Sequence, residues 1–260
     1  MKEAIIYLLA ITAAEMVIVF VQPLWGVVVH IAILVTVIMR SARTADKSQR
    51  QLVLSLALVP LTRIMDLSIG MTIIGGDPRR GVPAVYGPLL LAALMVMRIL
   101  GYGRSEVGLN LKSLPFQLWV ASSGLLFGWL EYLILRPEVG WITHFTWSEV
   151  VPLALILMVF TGFGEELIYR GVLQRSATES FGGWWGILYV SLLFAVVHLI
   201  HYQAGELTRV IMDVAFVFGV AMFFGWVVKK TGSLLGVILA HGITNVMLFM
   251  VLPLLLAPVK

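Results

Sequence analysis

Cysteine is absent from the 260 residues. Its absence excludes disulfides, thiol nucleophiles, S-palmitoylation and thiolate-bound zinc. It leaves the compartment open, because a membrane-embedded core needs no covalent staples. Charge is also scarce. Asp, Glu, Lys and Arg make up 12% of the chain, against 60% hydrophobic residues and a mean hydropathy of +0.99. A water-soluble domain carries roughly a quarter of its residues as charges, so half that complement implies a surface facing lipid. The 18 Lys and Arg lie scattered between apolar runs, with no basic stripe interleaved with aromatics. A net charge of +4 therefore points to loops that retain a bilayer, and not to nucleic acid. The first apolar run continues from Ala4 to Val21 without a small-residue cleavage site, so it reads as a retained helix.

What the chain does have is long apolar runs. A helix needs about 20 apolar residues to span a bilayer. Candidate spans are residues 4–22, 24–39, 52–74, 84–100, 116–135, 149–165 and onward, 184–200, 208–228 and 233–256. The second is short enough to be tilted or re-entrant, which gives eight or nine segments. The runs are continuously apolar and do not alternate, so strands are not expected. The expectation is an all-α, polytopic transmembrane bundle: N-terminal helices over residues 1–147 and a polar-rich core over 148–256, in one membrane-embedded unit. With the N-terminus inside, twelve basic residues fall in inner segments. Arg79, Arg80, Arg136, Arg209 and Lys260 fall in outer ones, an imbalance that favours this orientation.

An ionisable group at membrane depth is expensive and needs a reason. Arg63 and Asp66 sit three residues apart on one helical face and are expected to neutralise each other. Glu15, His30 and Glu131 are isolated in sequence and are assigned to the bundle interior. Asp213 is assigned a structural helix–helix role in preference to a supporting one. The density changes after residue 160. Gly164-Glu165-Glu166 precedes Arg170, and Glu166 lies one turn from that arginine, so an ion pair fits between them. Glu165 points about 100° away and is free for other work. Phe194 and His198 share a face, as do His241 and Asn245. Glu165 lies 17 residues before Gly182 and His198 lies 15 after Gly183. Antiparallel helices joined at that glycine pair bring the two to one level, provided the first runs unbroken toward Ser180. His241 lies eleven residues past Lys230, also near mid-membrane. Glu165, His198, His241 and Asn245 can therefore face one cavity.

Two chemistries fit those four side chains. A carboxylate facing an imidazole can deprotonate a water between them, with His241 and Asn245 donating to the oxyanion of a tetrahedral intermediate. Alternatively Glu165, His198 and His241 form a His₂Glu ligand set for zinc with one position left for water. His-Glu-x-x-His is missing, so the usual metalloprotease signature is absent.

Glu165-Glu166-x-x-x-Arg170, Phe194-x-x-x-His198 and His241-x-x-x-Asn245, in that order, resemble the three motifs of the CPBP family. This is the family of type II CAAX prenyl endopeptidases and bacteriocin-processing proteins, often called Abi. Lys230-Thr231-Gly232-Ser233-Leu234 adds to the likeness, which covers about residues 150–250. The resemblance implies an intramembrane CAAX-type protease fold. It implies Glu165 as the water-activating base beside His198, and His241 with Asn245 as oxyanion stabilisers. Glu166, Arg170 and Phe194 are then supporting residues. A metal-free site is favoured, with zinc the alternative. The implied partners are the lipid bilayer and a membrane-embedded or lipidated peptide substrate, and the implied location is a prokaryotic plasma membrane. Three other readings use the same residues: a non-catalytic membrane scaffold, a bacteriocin-immunity protein that keeps the fold, and an ion- or proton-coupled transporter. The transporter reading lacks the matching broken-helix halves that many such proteins show.

Overall fold

The computed structural model describes residues 2–70, 77–137, 140–142, 144–201 and 206–256. Lys260 and the end of the expected third span (71–74) lie outside them. Among the described residues the chain forms nine helices long and apolar enough to cross a bilayer, and no strand. They are α1 (Lys2–Phe20), α2 (Pro23–Arg43), α3 (Lys47–Ile69), α4 (Pro78–Ile99), α5 (Leu114–Leu135), α6 (Trp147–Phe181), α7 (Gly183–His201), α8 (Leu207–Thr231) and α9 (Leu235–Leu256). The protein is an integral, multi-pass membrane protein.

Local chemistry sets the helix ends. Pro23 and Pro78 start α2 and α4, where a missing N–H costs nothing. Asp46 caps α3 by accepting from the Gln49 amide at 2.8 Å. Asp77 caps α4 from the Arg79 amide at 3.0 Å. Gly232 closes α8 at φ +65 with its N–H on the Val228 carbonyl, the αL stop that glycine favours. Gly182, at φ +88, turns α6 into α7 through backbone space open chiefly to glycine.

The second span is not short. α2 runs 21 residues to Arg43, because Arg40 reaches out of the last turn to pair with Glu3 of α1. A charge that can reach the interface in this way does not end a helix. The sixth span is the long one, 35 residues from Trp147 to Phe181, so α6 does run unbroken toward Ser180. It is not regular. π segments at Leu157–Phe163 and Leu167–Leu173 flank a single α turn, Gly164–Glu166. Such π insertions are often found at functional sites.

The loops α2–α3, α4–α5, α6–α7 and α8–α9 meet at one end of the bundle. Ser48 bonds Ser180 at 2.8 Å, Gln51 donates to the Leu100 carbonyl at 2.9 Å, and Asn110 donates to the Gly232 carbonyl at 2.7 Å. Arg43, Lys47, Arg50, Arg104, Lys112, Lys229 and Lys230 belong to these loops or the helix ends beside them, so these seven basic residues share one end. One apolar cluster runs from Ala4 and Tyr7 of α1, through Leu56 and Val59 of α3, to Val237 and Ala240 of α9. The N-terminal helices and the polar-rich core thus share a single interior.

Candidate active site

The site lies where α6, α7 and α9 meet, and small residues let those backbones touch. A Cβ at Gly162 of α6 would lie 2.9 Å from the Ile238 carbonyl and 3.1 Å from Gly242. A Cβ at Gly124 of α5 would lie 2.3 Å from the Ala240 carbonyl, and one at Gly128 2.8 Å from the Thr244 carbonyl. Gly124 and Gly128, four apart on α5, are a small-xxx-small seam of the kind that draws membrane helices together. The close approach fixes α9, and with it His241 and Asn245, against the carboxylates of α6.

The two glutamates divide as their 100° separation suggests. Glu166 is fully buried and its Oε1 accepts from Arg170 at 3.0 Å and from His241 Nδ1 at 2.8 Å. Arg170 in turn lies 4.2 Å over the Phe194 ring. Glu165 points elsewhere, with Oε2 3.9 Å from His241 Nε2, and lines one cavity with Tyr86 of α4. His241 therefore stands between both carboxylates.

Hydrogen-bond logic fixes the other groups. His198 Nδ1 lies 2.7 Å from the Phe194 carbonyl. A carbonyl can only accept, so Nδ1 carries the proton and Nε2 presents a lone pair. The Thr161 hydroxyl donates to the Leu157 carbonyl at 2.6 Å and receives Asn245 Nδ2 at 2.8 Å. That second bond commits one hydrogen of the amide and leaves the other to donate into the site.

Two cavities border His198. The smaller is walled by Phe127, Phe216, Val217, Val220 and Phe224 and reaches His241, Thr244, Asn245 and Glu131. The larger is polar and is lined by Thr62, Arg63, Asp66, Tyr86, Glu165 and His201. Glu165 faces the polar space and the Asn245–His241 pair faces the apolar one. His198 borders both.

Sequence reasoning isolated some residues that are not isolated. Arg63 does pair with Asp66 at 2.9 Å, but it also bonds Glu15 of α1 at 2.9 Å and the Val197 carbonyl. His30 Nε2 lies 3.3 Å from Glu15. Glu15 therefore belongs to a buried ionic group that reaches the residue before His198, and His30 packs beside it. Asp213 accepts from His201 at 2.8 Å. His201, Tyr86 and Thr161 were missed altogether. The one available signal was His198-x-x-His201, two imidazoles three residues apart. Tyr86 and Thr161 carry none, because a lone tyrosine or threonine in an apolar run is ordinary.

The zinc alternative requires Glu165, His198 and His241 to converge on one point. Among the described residues no three His, Asp or Glu side chains are placed to hold one ion. His241 has its Nδ1 on Glu166, and its Nε2 faces Glu165 across a gap. The residues as placed do not fit a His₂Glu metal centre.

Nothing among curated proteins or solved structures matches the chain. A family model does, that of the type II CAAX prenyl endopeptidase Rce1-like proteins, over residues 147–247. This stretch, about two-fifths of the chain, holds Glu165, His198, His241 and Asn245 and overlaps the region of CPBP resemblance, so residues 147–247 are similar to the Rce1-like CAAX-type proteases.

Proposed function

We propose that the protein is an intramembrane endopeptidase that hydrolyses a peptide bond of a lipidated or membrane-embedded peptide, with Glu165 and His198 activating the water. The observation that supports this reading is that His198 lines both a polar cavity bearing Glu165 and an apolar one bearing His241 and Asn245. Water enters from the polar side and the acyl half of the substrate lies on the apolar side.

A water between Glu165 and the bare Nε2 of His198 loses a proton as its oxygen attacks the carbonyl carbon. The carbonyl oxygen takes the negative charge. The free hydrogen of Asn245 Nδ2 donates to it, and so does Nε2–H of His241. Because Nδ1–H of His241 already donates to Glu166, a proton on Nε2 makes that ring a cation, and the carboxylates on its two sides balance the charge. The C–N bond then breaks as the amine gains a proton. Glu166 and Arg170 are positioning residues that hold His241 from behind. The five apolar residues of the smaller cavity suit an alkyl or prenyl chain.

The test is cleavage of a reporter peptide by the purified protein in lipid vesicles, with and without an isoprenoid or acyl chain on the residue before the scissile bond. Cleavage of the lipidated form at least tenfold faster is expected. Failure to cleave either form removes the enzyme reading in favour of a scaffold or immunity role, and equal cleavage removes the lipid preference.

A further inference from the structure

At the end of α7 the helix tightens into a single 3₁₀ turn, His198–His201. Side chains three apart eclipse in a 3₁₀ helix, which is why two imidazoles that an α-helix would stagger face each other here. Their centroids are 5.3 Å apart and their planes perpendicular. Both rings border the polar cavity that holds Glu165.

His201 is backed by an acid, as His198 is not. Its Nδ1 lies 2.8 Å from Asp213 Oδ2, and Asp213 is fully buried on α8. The other oxygen, Oδ1, is buried with no hydrogen-bond partner among the described residues. A buried carboxylate left this way is costly, and a protonated His201 balances it. An Nδ1–H···carboxylate bond fixes the tautomer, so the second proton of the ring sits on Nε2. His201 remains about one-third exposed and lines the cavity that holds Glu165.

The proposed hydrolysis needs two different proton carriers. Glu165 and His198 take a proton from water, and amide cleavage also needs a donor for the departing nitrogen. We infer that His201, held and charge-balanced by Asp213, is the general acid that protonates the leaving amine. As the C–N bond breaks, a bond forms between that nitrogen and the proton on His201 Nε2, leaving a neutral imidazole. The proton taken by Glu165 then passes through cavity water to His201 and restores it, so no further reactant is needed.

This inference rests on the peptidase reading, and leaving-group chemistry separates the two. An amine leaves only when protonated, whereas a phenolate leaves without help. The experiment compares parent, His201→Gln and Asp213→Asn on two matched lipidated reporters, one with an amide and one with an aryl ester at the scissile position. His201→Gln should lower kcat on the amide about 100-fold and on the ester less than about threefold. Asp213→Asn should show the same split, smaller in size. Glu165→Gln, the control, should lose both. Equal losses on amide and ester would make His201 merely structural and overturn the inference. Unchanged amide cleavage would overturn it as well. A parent inactive on both substrates would instead overturn the peptidase reading on which it rests. Thermal melts of each variant in detergent identify any loss that comes from unfolding.

Discussion

Asn245 and His241, the proposed oxyanion donors, are each held by a hydrogen bond to one neighbour, and each can be tested alone. Asn245 owes its orientation to Thr161, whose hydroxyl is already committed to the Leu157 carbonyl. Asn245→Leu should lower kcat by about 10²–10³ with little change in KM, the size seen when one oxyanion donor is removed. Kinetics on the amide reporter check this, and a loss confined to KM would mean that Asn245 binds substrate without stabilising the oxyanion. Glu166 acts through His241. Glu166→Gln keeps an acceptor near Nδ1 but removes a charge that balances the imidazolium, so kcat should fall by about 10–100-fold. Because it also breaks the buried pair with Arg170, a thermal melt should fall with it. Activity and melting both unchanged would show that Glu166 does not hold His241.

Among the elements, two seams help to hold α6, α7 and α9 together around the candidate site. The first joins α1 and α3 to α7 through Arg63. Its guanidinium reaches Glu15, Asp66 and the carbonyl of Val197, which ends the regular part of α7 one residue before His198. Arg63→Met leaves Glu15 buried without a charge partner, a change worth about 3–5 kcal/mol in buried pairs. It should lower the melting temperature and kcat together, and a melt equal to the parent's would show that the Glu15 pairing does not stabilise the fold. The second seam is α5 on α9. Any Cβ at Gly124 meets the backbone oxygen of Ala240, so Gly124→Val forces α9 outward and should destabilise by about 1–3 kcal/mol.

These seams also show what a single sequence reveals. The spans were legible because lipid demands continuous apolar runs, and the levels of Glu165 and His198 followed from 1.5 Å per residue on either side of Gly182. The Glu166–Arg170 pair was legible because partners four apart share a helix face. Glu15 and Arg63 lie 48 residues apart on different helices, and no periodicity joins them. The π turns of α6 and the 3₁₀ turn of α7 were hidden for a related reason. They follow from how α6 and α7 pack against their neighbours, and the residues within those turns carry no distinct pattern.

For the whole molecule, the loops and helix ends that carry Arg43, Lys47, Arg50, Arg104, Lys112, Lys229 and Lys230 gather at one end. The positive-inside rule puts that end in the cytoplasm. The absence of cysteine makes the orientation measurable with single introduced thiols. Ser105, exposed between α4 and α5, marks the basic end, and Ser148, exposed at the start of α6, marks the other. In sealed right-side-out vesicles a membrane-impermeant maleimide should label Ser148→Cys and spare Ser105→Cys. The reverse pattern would invert the topology and the side from which water reaches Glu165.

The proposed chemistry begins at one carboxylate, which takes the proton of the attacking water. Glu165 is the glutamate that Arg170 does not hold, and it lines the polar cavity together with His198. The direct measurement is single-turnover cleavage of the lipidated amide reporter by Glu165→Gln against the parent, with both shown to be folded by thermal melt. A fall in rate of at least about 10²-fold with substrate binding retained is the predicted result. Cleavage at the parent's rate would contradict the assignment of Glu165 as the base, and with it the site as described.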